Sequence, residues 1–189
     1  MEERRGLARG RAQHAHRVDA LASPHHRAAK LPVLAELAQS TNSQVADGAR
    51  SVIADCQYRE GKLDEALAAA LTNLEGPSLF YRTMAAGLVA RLYLERGRYR
   101  EALSVVEKAR SNGTLGAFPQ CTIDLLSTRA SVLFELGQHE DARKALQSAQ
   151  SFRASSASRI EDAELRHAFL TRGQANRRLD QLANAWPSK

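Results

Sequence analysis

Along the middle of the chain apolar residues recur every three or four positions, as in Leu88, Val89, Leu92 and Tyr93 and again in Ala102, Leu103, Val106 and Ala109. That spacing lays one apolar stripe along a helix. Gly97 falls between the two stripes. Helices commonly close on a residue of positive φ, which costs glycine little. The predicted unit is therefore helix, turn, helix.

The unit recurs. Gly61-Lys-Leu-Asp-Glu-Ala66, Gly97-Arg-Tyr-Arg-Glu-Ala102 and Gly137-Gln-His-Glu-Asp-Ala142 each join a glycine to acidic residues and then an alanine, and Gly173-Gln-Ala-Asn-Arg-Arg178 is a degraded fourth copy. Acidic side chains suit the N-terminus of the second helix, where the helix dipole is positive. The four glycines stand 36, 40 and 36 residues apart, and seven residues before each comes Ala54, Ala90, Ala130 and finally Arg166. A small residue at each of these two places lets the paired helices cross closely. Arg166 and Arg178 break that rule in the last unit.

These turns, with the later small residues Ala109, Ala149 and Ala185, resemble tetratricopeptide repeats over roughly residues 43–186. The family's usual repeat is about 34 residues, so these units carry a few extra residues between repeats. The resemblance implies an all-α, right-handed α-solenoid of about four such units, over residues 42–76, 78–112, 118–152 and 158–186. Terminal units of a solenoid are half-covered and must be atypical, which suits the arginine-rich fourth unit as a capping pair. The resemblance further implies a concave face, lined by the first helix of each pair, that receives a protein or peptide.

Carried onto this sequence, the groove positions fall on Ser51, Asp55, Tyr58 and Arg59 in the first unit and on Met84, Gly87, Arg91, Leu94 and Glu95 in the second. The third unit supplies Asp124, Ser127, Ser131, Phe134 and Glu135, and the fourth His167 and Leu170. Tyr58, Leu94, Phe134 and Leu170 form an apolar stripe at equivalent places. Some members of the family clamp a C-terminal carboxylate with Lys and Asn of the first repeat; Ser51 and Asp55 stand there instead, and Asp55 would repel the anion. A peptide offering mixed polar and apolar contacts suits these residues better.

Boundary signals accompany the repeats. Thr41 with Gln44 and Ser158 with Glu161 read as capping boxes, and Pro77-Ser78 opens the second unit. Residues 31–41 read as a capping helix with Pro32 in its first turn. Residues 111–119 hold the turn formers of a loop, a candidate lip over the groove, in which Asn112-Gly113-Thr114 reads as a turn rather than a glycosylation acceptor.

A length of 189 residues fits one domain. The net charge of +6 is uneven: residues 1–30 hold seven Lys/Arg against three Asp/Glu, leaving twenty against eighteen for the rest. A nearly balanced body argues against a dedicated nucleic-acid surface, which needs a sustained basic face. The basic tail, with Arg4, Arg5, Arg9, Arg11 and Arg17, is where a nucleic-acid-associated regulator would hold phosphates; an organelle transit segment is a further reading of it.

His14, His16, His25 and His26 crowd the same tail without a fold to fix them as metal ligands, and Cys56 and Cys121 lie within helical patterns without CxxC spacing. No metal or cofactor is expected. No nucleotide-binding, metalloprotease or nucleophile-elbow motif occurs, and the paired acids Asp64-Glu65 and Glu140-Asp141 sit at repeat-equivalent helix starts, so an enzyme is not expected. With neither a secretory leader pattern nor a long apolar run, a cytoplasmic protein without membrane insertion is expected. The expected role is a non-enzymatic scaffold or adaptor subunit, with a secretion or assembly chaperone as the alternative and a homodimer or larger complex as the possible assembly.

Overall fold

The computed structural model describes residues 24–113 and 115–186, and for residues 24–30 the backbone alone. Among the described residues the fold is all-α, with nine helices and no strand. They are α1 (Pro24–Leu37), α2 (Ser43–Arg59), α3 (Leu63–Leu74), α4 (Leu79–Glu95), α5 (Tyr99–Ser111), α6 (Pro119–Glu135), α7 (His139–Ser158), α8 (Ala163–Arg172) and α9 (Gln174–Ala185). The basic-tail residues Arg4, Arg5, Arg9, Arg11 and Arg17, together with His14 and His16, lie outside the described residues.

Three tight turns join α2 to α3, α4 to α5 and α6 to α7, and all three are built alike. Gly61, Gly97 and Gly137 take φ of 76°, 70° and 74°. The residue after each glycine donates its N–H back into the first helix: Lys62 to Gln57 O, Arg98 to Tyr93 O and Gln138 to Leu133 O, at 2.9, 2.8 and 2.9 Å. This closure satisfies carbonyls that the helix end leaves without partners and turns the chain back on itself. The paired helices meet on alanine. Ala54, Ala90 and Ala130 on the first helices and Ala66, Ala102 and Ala142 on the second are all buried. Around them pack Leu67, Leu88 and Leu92 in the first half, and Ile123, Leu126, Leu133 and Leu146 in the second.

The first helices of the pairs run parallel, as their cross-contacts show. Gly48 lies against Tyr81, and further along Tyr58 meets Glu95, which sets α2 parallel to α4. Phe80 packs edge-on against Phe118, and Arg91 pairs with Asp124, which does the same for α4 and α6.

The end of the chain departs from the expected pattern. Gly173 takes φ of −67° and ψ of 128°, an extended linkage between α8 and α9 with no helix-closing turn. No residue of α8 is buried, whereas α9 buries Ala175, Asn176 and Leu179 against α6 and α7. Gln120 abuts Gly173, Asp124 pairs with Arg178 and Phe134 stacks on Trp186 at 4.5 Å. These contacts advance together along both helices, so α9 lies parallel to α6. It is α9, not α8, that stands fourth in the row of parallel helices. Arg178 therefore is not a failed close-packing position, because α9 does not cross a partner helix the way α3, α5 and α7 do. Arg166, on exposed α8, donates to Ile160 O and Glu161 O instead.

Several boundaries shift for local reasons. The cap of α2 is Asn42, whose side-chain oxygen accepts from the N–H groups of Gln44 and Val45, in place of Thr41. Ser158 ends α7, which runs six residues past the expected end of its unit at residue 152, and Asp162 caps α8. Ser78 does cap α4. The helix expected over residues 31–41 begins at Pro24 and ends at Leu37, so Pro32 lies in its interior and not in its first turn. Pro119 opens α6 after the 112–118 segment, whose Leu115 tucks against the core.

Candidate functional site

The parallel row holds two adjoining cavities. The upper one, about 440 Å³, lies between the C-terminal half of α2 and the N-terminal halves of α4, α6 and α9 and is lined by Val52, Met84, Leu88 and Cys121 with Ser51, Asp55, Arg59 and Gln120. The lower one, about 380 Å³, is lined by Tyr58, Leu94 and Leu182 with Glu95, Ser127 and Ser131. Three residues belong to both walls: Arg91, Asp124 and Arg178. An ionic bar therefore crosses one channel and divides it into two chambers.

The bar draws one residue from each of three helices. Asp124 on α6 accepts through Oδ2 from Arg91 Nη1 of α4 and through Oδ1 from Arg178 Nη1 of α9. Gly87 makes room for it: a Cβ there would lie 2.8 Å from Asp124 Oδ2. Burial, and Arg91 nearby, lower the pKa of the Arg178 guanidinium, while Asp124 opposes the shift. The Arg91 guanidinium also lies over the Tyr58 ring, 5.5 Å from its centroid. The Tyr58 hydroxyl donates to Glu95, and burial followed by that carboxylate raises its pKa. Asp55 is held by Arg59 at 2.7 Å one helical turn away. Across both chambers three arginines face three carboxylates, so the channel is charge-balanced as a whole.

Of the positions expected to line a groove, Ser51, Asp55, Arg59 and Met84 stand in the upper chamber, Tyr58, Leu94, Glu95, Ser127 and Ser131 in the lower, and Arg91 and Asp124 between them. Ser51 has a structural duty besides: its hydroxyl accepts from Asn73 Nδ2 at 2.8 Å, tying α2 to α3. Gly87 lines neither chamber but stands beside Asp124 of the bar, and the four other expected positions lie elsewhere. Phe134 is sandwiched by Trp186 and the edge of His139. Glu135 borders neither chamber, and His167 and Leu170 belong to α8, outside the parallel row. The expected stripe thus reduces to Tyr58 and Leu94, and none of the described residues of the 111–119 loop lines either chamber.

Sequence reasoning missed Val52, Leu88, Gln120, Cys121, Arg178 and Leu182. The signal for Arg178 was present, since an arginine replaced a small residue at a repeated position. Its meaning depended on knowing which helix stands fourth. Cys121 is no ready nucleophile: burial, with the charge of Asp124, pushes its thiol up to about 11. Neither cysteine forms a disulfide. Among the described residues no group of His, Cys, Asp and Glu is placed to hold a metal ion, and no helix is long and apolar enough to cross a membrane.

Comparison with protein-family models, curated proteins and solved structures returns no match. The functional reading rests on the channel itself.

Proposed function

We propose that this chain is a non-enzymatic scaffold or adaptor of tetratricopeptide type, a right-handed α-solenoid that holds a segment of a partner protein in its concave channel. The observation that carries the reading is the channel: two largely apolar chambers, built by α2, α4, α6 and α9 and bridged by a few fixed polar groups. Binding sites are typically concave, mostly apolar and furnished with a small number of placed polar side chains. Three identical turn closures and six buried alanines support the repeat assignment. A channel crossed by charged groups suits a defined peptide better than the indiscriminate apolar cradle of a chaperone. The basic tail remains the place where a nucleic-acid contact would be sought.

Site-specific photo-cross-linking tests this. Met84 is partly exposed in the upper chamber, and Arg143 is exposed on α7. A cross-linking side chain at 84 captures a partner from native extract, and the same group at 143 does not. Capture from 143 alone would move the binding face off the channel and sink the proposal.

A further inference from the structure

The bar is the most informative feature of the channel, and its chemistry is lopsided even though the channel as a whole is balanced. Asp55 is occupied by Arg59 and Glu95 by the Tyr58 hydroxyl. At the bar itself two guanidiniums share a single carboxylate. A guanidinium carries five N–H donors, and each of these gives one hydrogen bond to Asp124. Arg91 Nε is buried with no acceptor. Both side chains are largely desolvated, with 15% and 25% of their surface exposed. Cationic donors in surplus, short of water, call for an acceptor-rich anionic group.

The chambers on either side set the spacing of what flanks that group. Along α4 the upper chamber centres on Met84 and Leu88 and the lower on Leu94 and Glu95; along α6 the corresponding pairs are Gln120 with Cys121 and Ser127 with Ser131. The centres lie about eight residues apart, or roughly 12 Å at ~1.5 Å per helical residue. An extended peptide covers about 13 Å in four residues at ~3.3 Å each, and its residues i, i+2 and i+4 share one face.

Resting on the channel reading above, we propose that the segment bound is an extended peptide with an acidic side chain at its centre and an apolar side chain two residues to either side. The carboxylate lies on the bar between Arg91 and Arg178. One apolar side chain enters the Val52, Met84 and Leu88 chamber, and the other rests against Leu94 and Leu182.

Fluorescence anisotropy with a dye-labelled, C-amidated peptide, Ser-Ser-Leu-Ser-Glu-Ser-Leu-Ser-Ser, and the full chain tests the motif. The comparison peptides replace the glutamate with glutamine or lysine, or move the second leucine one residue inward so that it faces away. The glutamate peptide binds at least tenfold tighter than each of the three. Arg178→Gln removes the preference for glutamate over glutamine, and Met84→Ser weakens all binding. Because the peptides are first compared on the unaltered chain, the result does not depend on a variant folding. Glutamate and glutamine peptides binding within twofold of each other overturn the proposal. If that shared binding still falls in Met84→Ser, the channel reading survives and only the acidic centre is lost. Failure of every peptide to bind also overturns the motif, while cross-linking from position 84 judges the channel separately.

Discussion

The three helix pairs from α2 to α7 and the final pair α8 and α9 carry related sequences and pack by different rules. In the first three, alanine at two repeated places brings the helices together, and a positive-φ glycine closes the turn. In the last, arginine stands at both places and the glycine is extended: α8 has no fully buried residue and only rests Phe169 against the core, while α9 packs on the preceding pair. A degraded repeat thus marks a change of partner. The helix that ends the row must cover an apolar face without presenting another, so α9 is leucine and tryptophan on one side and polar on the other. Terminal elements of stacked repeats face this requirement generally.

The sharpest way to break the comparison is to cut the attachment of α9. Leu179 is fully buried and packs in the cluster with Ile123, Leu126 and Leu133. Leu179→Ala should cost about 2–5 kcal/mol, the range for deleting a leucine side chain from a packed interior. Trp186 is the single tryptophan and stacks on Phe134, so its fluorescence reports α9 directly. In urea the variant should lose the tryptophan signal before the far-ultraviolet dichroism of the other helices. Coincident transitions at an unchanged midpoint would show that α9 contributes little.

The repeated pairs were readable from sequence because their signals are local: a glycine, the acidic residues after it and an alanine on either side all lie within one helix-turn-helix. Eleven of the twelve positions expected from that register between Ser51 and Ser131 line the two chambers. The fourth pair was not readable in the same way. His167 and Leu170 were placed by counting back from Gly173 as though it closed a turn like Gly137, yet φ there has the opposite sign. The arginines at 166 and 178 and the missing acidic residues mark the copy at Gly173 as degraded, but they do not say which helix takes the fourth place. What decides is tertiary: Ala175 and Leu179 find a seat on α6 and α7, and Arg178 finds Asp124 fifty-four residues away. The ionic bar was hidden for the same reason, since its three members come from three units.

A smaller effect separates the alanine crossings from their arginine counterpart. Ala130 is fully buried where α6 meets α7. Ala130→Leu adds three carbons where no space exists, and should cost about 1–3 kcal/mol by overpacking. Arg166 occupies the equivalent sequence position on exposed α8. Arg166→Leu exchanges two solvent-exposed hydrogen bonds for solvation, and should change stability by less than about 0.5 kcal/mol. Denaturant midpoints of the two variants at equal slope measure the contrast. An equal loss would mean that α8 is docked as tightly as α6.

The smallest difference lies in the two kinds of glycine. A Cβ at Gly137 meets nothing within 4 Å, so the cost of Gly137→Ala is the backbone's alone, about 1 kcal/mol for an L-residue held at positive φ. At Gly173 the backbone is ordinary, and a Cβ would come within 2.6 Å of Gln120 Oε1. That oxygen has no hydrogen-bond partner, so the amide can swing aside. Alanine also narrows the unfolded ensemble by an amount that stabilises by about 0.4–1 kcal/mol where the native backbone accepts it. Gly173→Ala should therefore leave the urea midpoint within about 0.5 kcal/mol of the parent, and Gly137→Ala should lower it. A Gly173→Ala variant as weak as Gly137→Ala would mean that Gln120 is pinned in place, making it a fixed wall of the upper chamber rather than a side chain able to yield to a ligand.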